Sequence, residues 1–207
     1  MRSRPALRAN GLDVVPTSSD PTSRFVVLTG GPGSGKTTLI DRLAARGHVT
    51  MPEAGRAIIR DQMAIGGQAL PWADRALFAE AMLAFEMRSH RAAEDLAGPV
   101  LFDRGVPDVI GYLRLCGLPV PPHMEEAARR FRYGQPVFVA PPWREIFVQD
   151  GERRQDFDEA VRTFEAMLKV YRDCGYDLVE LPCASVAERA DFVENRLRVG
   201  AASSRDR

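Results

Sequence analysis

Residues 26–38, VVLTGGPGSGKTT, decide the reading of this chain. An apolar run of strand type breaks into glycines and ends on a lysine and two threonines. Gly30, Gly35, Lys36 and Thr37 fill the fixed positions of G-x-x-x-x-G-K-[ST], after a predicted strand and before a helix expected to begin near Thr37. Each residue type has a physical reason to be there. Glycines admit backbone conformations closed to other residues and let amide groups wrap a phosphate closely. The helix that follows aims its unsatisfied N–H groups and partial positive charge at the same place. Lys36 adds a mobile full charge for the outer phosphates of a nucleotide, and Thr37 offers a hydroxyl to Mg2+. The expected nucleotide cradle is therefore Gly30, Gly31, Pro32, Gly33, Ser34, Gly35, Lys36, Thr37 and Thr38. Of 28 basic residues only Lys36 and Lys169 are lysine, so a lysine at this position is not a product of composition.

Outward from the loop, four more short apolar runs resemble the first: HVTMP (48–52), PVLFD (99–103), PVFVA (136–140) and DLVEL (177–181). Gly, Pro or charge bounds each, and helical periods separate them. Phe78, Met82 and Phe85 repeat at helical spacing, as do Val161, Phe164, Leu168 and Tyr171, and again Val186, Ala190, Val193 and Leu197. Ser185 to Glu188 has capping-box spacing, and Asp156 to Glu159 has the same spacing with Asp as cap. Alternating strands and helices predict a three-layer α/β domain with a mainly parallel sheet of about five strands. We place that domain at residues 24–199, between a leader (1–23) rich in Pro, Ser, Thr and Arg and a short tail (200–207), both expected to be flexible.

Composition narrows the partners. Positive and negative residues balance at 28 each, so no overall field draws the protein to nucleic acid or an anionic membrane. No apolar run approaches the ~18 residues of a membrane span, and no secretory signal opens the chain. Cys116, Cys174 and Cys183 are odd in number and widely spaced, which fits reduced, structural thiols in a cytoplasmic protein. His48, His90 and His123 have no ligand spacing.

A phosphate loop implies a nucleotide but not a reaction, and the second acidic site discriminates better. VLFDRG ends a buried strand on Asp103, where a carboxylate can hold Mg2+ or its water. Hydrolytic motors usually follow that acid with a glutamate that activates water; here Arg104 follows, and an arginine stabilises transferred charge. The guanine signature N-K-x-D needs a lysine, and Lys169 sits in MLKV instead.

Together with the loop, the segments PEAGRAII, ALPW, LFDRGVPDVIGY, DGERR and YRDCGYDLVELP carry a resemblance across about residues 24–197. The chain resembles the small AAA-type ATPase domain of NadR-like proteins, a group related to ribosylnicotinamide kinase and to the thymidylate and deoxynucleoside kinases. The resemblance implies a nucleoside-kinase-like P-loop fold and an Mg2+-dependent transfer of the γ-phosphoryl group of ATP to a small nucleoside- or nucleotide-like acceptor. The alternative is a nucleotide-binding switch or slow NTPase that acts through a protein partner. By the same resemblance, Glu53 is the candidate base or acceptor ligand, and Arg56 follows it one turn later. Asp103 and Arg104 form the acid-arginine pair, although relatives carry Ser or a bulky residue where this chain has Gly105. Arg153 and Arg154 lie where such kinases carry a lid. The expected catalytic set is thus Lys36, Glu53, Asp103, Arg104, Arg153 and Arg154, with Thr37 and Asp103 on the metal. Glu86 and Arg88 are placed near the acceptor, and RRFR (129–132) reads as a solvated face.

Overall fold

Five apolar runs become five strands. A computed structural model describes residues 21–147 and 156–203, with β1 (Phe25–Gly30), β2 (Val49–Met51), β3 (Val100–Asp103), β4 (Val137–Ala140) and β5 (Leu178–Glu180). They form one sheet in the order β2-β3-β1-β4-β5, and all four pairings are parallel. Among the described residues seven helices accompany them: α1 (Lys36–Ala45), α2 (Ala54–Ile65), α3 (Arg75–Glu94), α4 (Val106–Leu115), α5 (Pro122–Arg130), α6 (Phe157–Asp173) and α7 (Val186–Ser203). Single 3-10 turns lie at Pro21–Arg24 and Arg144–Ile146. Among the described residues no helix is long and apolar enough to cross a membrane.

The two-residue period of β1 divides the core. Phe25 and Val27 join Phe102, Val106, Val109 and Met167 on one face, covered by α3, α4, α5 and α6. Val26 and Leu28 turn to the other face, where α1 brings Leu39 and Leu43 and α7 brings Ala190 and Val193. Strands buried on both faces read as continuous apolar runs, which is why their sequence shows no alternation. A smaller cluster of Ala54, Ile58, Ile59, Leu70 and Phe78 ties α2 to α3 beside the sheet.

The expected caps form: Asp156 Oδ1 accepts from Glu159 N at 2.7 Å, and Ser185 and Glu188 exchange side-chain and backbone bonds. Two periodic faces are shifted. On α6 the buried line is Ala160, Thr163, Met167, Val170 and Tyr171, whereas the expected Val161, Phe164 and Leu168 are half-buried beside it. The reason is close approach: the helix backbone at Ala160 lies so near the phosphate loop that a Cβ on Gly31 would come within 2.4 Å of the Ala160 oxygen. Ala160 therefore takes the seam against the loop, and Met167, Val170 and Tyr171 are buried further along the same helix. On α3, Phe85 is half-buried, and Glu86 sits deeper, at 3% exposure.

Candidate functional site

Three strands deliver the site at their carboxyl ends, where ligands of open parallel sheets bind. β1 runs directly into the phosphate loop, and β3 pairs with it so that Leu28 lies opposite Asp103. The sheet itself thus sets Asp103 beside the loop, although 73 positions separate Gly30 from it in sequence. Gly30 has φ 135°, and a Cβ there would stand 2.4 Å from the Ala140 oxygen of β4, so only glycine lets the chain leave the sheet at this point. Helix α1 starts at Lys36, one residue before the expected Thr37, with Gly35 as its left-handed cap (φ 73°).

Lys36 folds back into its own loop. Its ammonium donates to the carbonyl oxygens of Gly30 (3.2 Å) and Gly31 (2.6 Å) and to Ser34 Oγ (3.2 Å). These contacts keep a full charge over the loop, while Thr37 and Thr38 beyond it are exposed. Behind the loop lies a cation that sequence reasoning did not find. Arg189 of α7 is 2% exposed and donates from Nη1 to the Ser34 carbonyl at 3.0 Å. It approaches across 155 positions of sequence, so no local signal marks it.

Asp103 ends β3 at 6% exposure, and its Oδ1 is buried with no hydrogen-bond partner among the described residues. Burial, then the nearby Glu53, push its pKa up to about 6, against the pull of Lys36 and Arg104. An orphaned carboxylate oxygen at the end of the strand paired with β1 fits Mg2+, which takes one or two carboxylates and completes its shell with water and phosphate oxygens. Among the described residues no group of three or more His, Cys, Asp or Glu could form an all-protein cage.

The orphan has a consequence for stability. A folded-state pKa of about 6 against an ordinary 3.8 means the folded protein binds this proton more tightly. The resulting stabilisation is complete below about pH 4 and is lost as pH rises through about 6. Asp103→Asn should therefore stabilise the ligand-free protein by about 2–3 kcal/mol at pH 8, seen as a higher melting temperature, and give a smaller gain at pH 4.5. Melts at both pH values check it, and an Asn variant less stable at pH 8 would contradict it.

Arg104 follows with φ 80°, the only positive-φ residue other than glycine among the described residues. A left-handed conformation costs a long side chain roughly 1–2 kcal/mol, and its tertiary contacts hold it there. Nη1 donates to the Gly30 carbonyl (3.1 Å) and to Asp108 Oδ1 (3.0 Å), and Nε faces Glu53 Oε1 at 3.4 Å. Burial works against its charge, but Glu53, Asp108 and Asp103 outweigh that and raise its pKa above the usual arginine range. Glu53 also pairs with Arg56 at 3.0 Å, so these two expected residues do meet.

Asp108 is the second residue that sequence reasoning missed. Its carboxylate accepts from Thr29 Oγ1 (2.6 Å), Tyr171 OH (2.6 Å), Arg104 and the Gly105 amide (3.0 Å). The available signal was the helix start in DRGVPD: an acid in the first turn of α4, three residues after its Gly105 cap. Gly105 itself is explained by packing. A Cβ there would lie 2.8–3.0 Å from the ring and hydroxyl of Tyr133, which also accepts from the Val106 amide at 3.2 Å.

Beside the loop opens a cavity of about 610 Å3. Glu53, Arg104 and Asp108 form its polar floor next to Pro32 of the loop; Phe78, Met82, Val109, Tyr112 and Met167 supply apolar walls. Glu86 lines it, whereas Arg88 is exposed and lies outside it. Trp72 and Arg75 stand among its lining, and Cys116 contributes one of three cysteines that form no disulfide. Arg153 and Arg154 lie outside the described residues; the segments flanking them place Arg144 over the Phe157 ring at 4.1 Å and Phe147 against Phe157. In RRFR only the first half is a solvated face: Arg129 and Arg130 are exposed and pair with Glu126, whereas Phe131 packs against the core and Arg132 donates to the Cys174 carbonyl at 2.8 Å and lies over the Tyr176 ring.

A parallel five-stranded sheet whose central strand opens into a glycine-lysine phosphate loop defines the class as a P-loop fold. Within that class the chain belongs to the AAA domain family, whose model matches residues 25–189. Among solved structures it is similar to deoxyadenosine kinase from M. mycoides (TM-score 0.64, 11% identity, 84% of this chain and 99% of that one). It is similar to thymidylate kinase from Ehrlichia chaffeensis (TM-score 0.58, 15% identity, 84% and 97%). It also resembles NadR in complex with NR (TM-score 0.60, 20% identity), covering 77% of this chain but only 44% of NadR. The chain thus spans less than half the length of that relative. No curated protein sequence matches it.

Proposed function

We propose that the protein is an ATP-dependent phosphotransferase that moves the γ-phosphoryl group to a hydroxyl of a small nucleoside- or nucleotide-like acceptor. The observation that carries this reading is the cavity of about 610 Å3 beside the phosphate loop. A hydrolase needs room for one water, about 30 Å3, whereas small-molecule sites span roughly 300–1,000 Å3.

In this reading the acceptor oxygen attacks the γ-phosphorus and the bond to the bridging oxygen breaks. ADP leaves with the bonding pair, and the Glu53 carboxylate takes the hydroxyl proton. Lys36 exchanges its loop carbonyls for phosphate oxygens, and the backbone N–H groups of residues 33–38 hold the remaining charge. Arg104, fixed between Gly30, Glu53 and Asp108, stands at the junction of loop and cavity and stabilises charge on the moving group. Asp103 and Thr37 are the residues that would hold Mg2+, whose chemistry is to neutralise charge across the β- and γ-phosphates. Arg153 and Arg154 are proposed to close over the site and exclude water.

The test is acceptor dependence. With Mg-ATP present, ADP formation is followed for a panel of nucleosides, nucleotides and nicotinamide riboside. At least one acceptor should raise the rate tenfold or more over the acceptor-free background. A rate that no acceptor alters would favour the slow NTPase or switch instead.

A further inference from the structure

Arg189 is a buried cation that the proposed reaction does not use. It stands on α7 at 2% exposure, and its Nη1 donates to the Ser34 carbonyl of the phosphate loop at 3.0 Å. Its Nε is buried without a hydrogen-bond partner, and among the described residues it joins no ion pair. A guanidinium so deeply buried is normally matched by a carboxylate. The acids of its own helix are engaged elsewhere: Glu188 bonds to Ser185 in the cap of α7, and Asp191 and Glu194 hold Arg46 at the end of α1.

The charge is set where the backbone is itself positive. A Cβ on Gly35 would come within 2.8 Å of Arg189 Nη1, and Gly35 is the cap from which α1 starts. A cation there adds to the partial positive charge of the helix N-terminus, an arrangement that is unfavourable until an anion arrives. Burial pulls the Arg189 pKa below the usual arginine range, and Cys183 is the side chain that pulls the other way.

The contact also has a direction. The Ser34–Gly35 peptide is trans, so its carbonyl and its N–H point to opposite sides. Holding the Ser34 oxygen from behind turns the Gly35 N–H to the front of the loop, where phosphate is cradled. The Ser34 side chain is fixed as well: its Oγ donates to the Gly31 carbonyl at 2.8 Å and accepts from Lys36 at 3.2 Å. Helix α7 is a firm base for this contact, because Ala190 and Val193 pack with Leu39 and Leu43 of α1.

We propose that Arg189 is a positioning residue of the phosphate loop: it fixes the Ser34–Gly35 peptide with its N–H toward a nucleoside di- or triphosphate, and its unmatched charge is balanced when those phosphates bind. This rests on the loop holding a nucleotide, and not on where the phosphoryl group then goes.

Calorimetric titration of ADP into the intact protein tests it, with wild type, Arg189→Met, Arg189→Gln and Arg189→Lys, each checked by a melting curve. Arg46→Ala is the comparison, since Arg46 ties α1 to α7 without a contact to the loop. Arg189→Met should weaken ADP by roughly tenfold or more, the usual worth of one buried charge-assisted contact. Arg189→Lys keeps a charged donor and should stay within about threefold of wild type, while Arg189→Gln, a neutral donor, should bind ADP at least about threefold more weakly than Arg189→Lys. Adenosine, which has no phosphate, should bind wild type and Arg189→Met alike, and Arg46→Ala should bind ADP as wild type does, whatever its melting temperature. Equal ADP affinity in wild type and Arg189→Met overturns the proposal. So does equal affinity in Arg189→Lys and Arg189→Gln, the pair that carries the test if Arg189→Met gives no cooperative melt. A matching loss of adenosine, or a loss of ADP as large in Arg46→Ala, would show that Arg189 only packs α7 and would overturn it too. Failure of wild type to bind ADP overturns it together with the nucleotide reading of the loop. The expected ADP pattern without phosphate transfer to any acceptor would defeat the kinase reading and leave the Arg189 assignment standing.

Discussion

Lys36→Ala should yield a folded protein whose phosphoryl transfer is slower by roughly 100–1,000-fold, the effect of removing one preorganised group that stabilises transition-state charge. The fold survives because Lys36 belongs to neither of the core clusters on the two faces of the sheet. Its hydrogen bonds to Gly30, Gly31 and Ser34 lie within the loop, and water can satisfy those oxygens once the side chain is gone. The lost rate reflects position: the ammonium is held over the loop at 2.6–3.2 Å from three oxygens, so little reorganisation separates the ligand-free arrangement from one facing phosphate. Single-turnover rates with Mg-ATP, read beside a melting curve, check both halves. Undiminished turnover would contradict the assignment, and an unfolded variant would contradict the account of the loop.

Arg104→Ala has the largest expected effect on stability. The guanidinium is 14% exposed and is the shared cation of Glu53 and Asp108, with Asp103 close by. Breaking a buried pair by removing one partner costs about 3–5 kcal/mol, because the other charges stay behind without compensation. The sign of its pH dependence follows. Asp103, whose pKa of about 6 is held down in part by Arg104, can be neutralised by a proton at low pH but not at high pH, so the loss should be greater at pH 8 than at pH 5.5. Urea unfolding of wild type and variant at both pH values measures it. A pH-independent loss, or none, would show that Arg104 does not balance the site's acids. Arg104→Lys should recover part of the stability, since it restores charge without the planar fork that reaches Gly30 and Asp108 together.

Much of the fold was legible in the sequence because its strands are central and parallel. Phe25 to Leu28, Val100 to Phe102 and Val137 to Val139 are apolar runs bounded by turn residues, and burial on both faces explains each run. The loop was legible for a different reason: a phosphate must be wrapped by consecutive amides, so the recognition is local in sequence. Residues that meet across the sheet were harder to read. Arg189 touches Ser34 from 155 positions away, and Tyr171, expected to be a core residue of α6, also donates to Asp108. Neither contact leaves a periodic or spaced trace. Asp108 left a weak one, as a first-turn acid of α4, yet its role depends on Thr29 and Arg104 arriving from other elements. The α6 face shifted by one residue for the same kind of reason, since a close approach between Ala160 and Gly31 fixes its rotation.

The cavity beside the loop was legible only in part. Glu53 was found through a family resemblance and Arg104 through its place after Asp103, and the structure brings them within 3.4 Å of one another. Glu86 and Arg88 are two residues apart on one helix, and sequence gave them equal standing. Successive helical residues point about 100° apart, so one enters the cavity and the other faces solvent.

The central claim is that phosphate goes to an acceptor and not to water. A phosphorus NMR time course of Mg-ATP with the best acceptor tests it most directly. The account predicts that ADP and a new phosphomonoester rise together in equal amounts, with inorganic phosphate at background. ADP accompanied by an equal amount of inorganic phosphate, with no phosphomonoester, would contradict it.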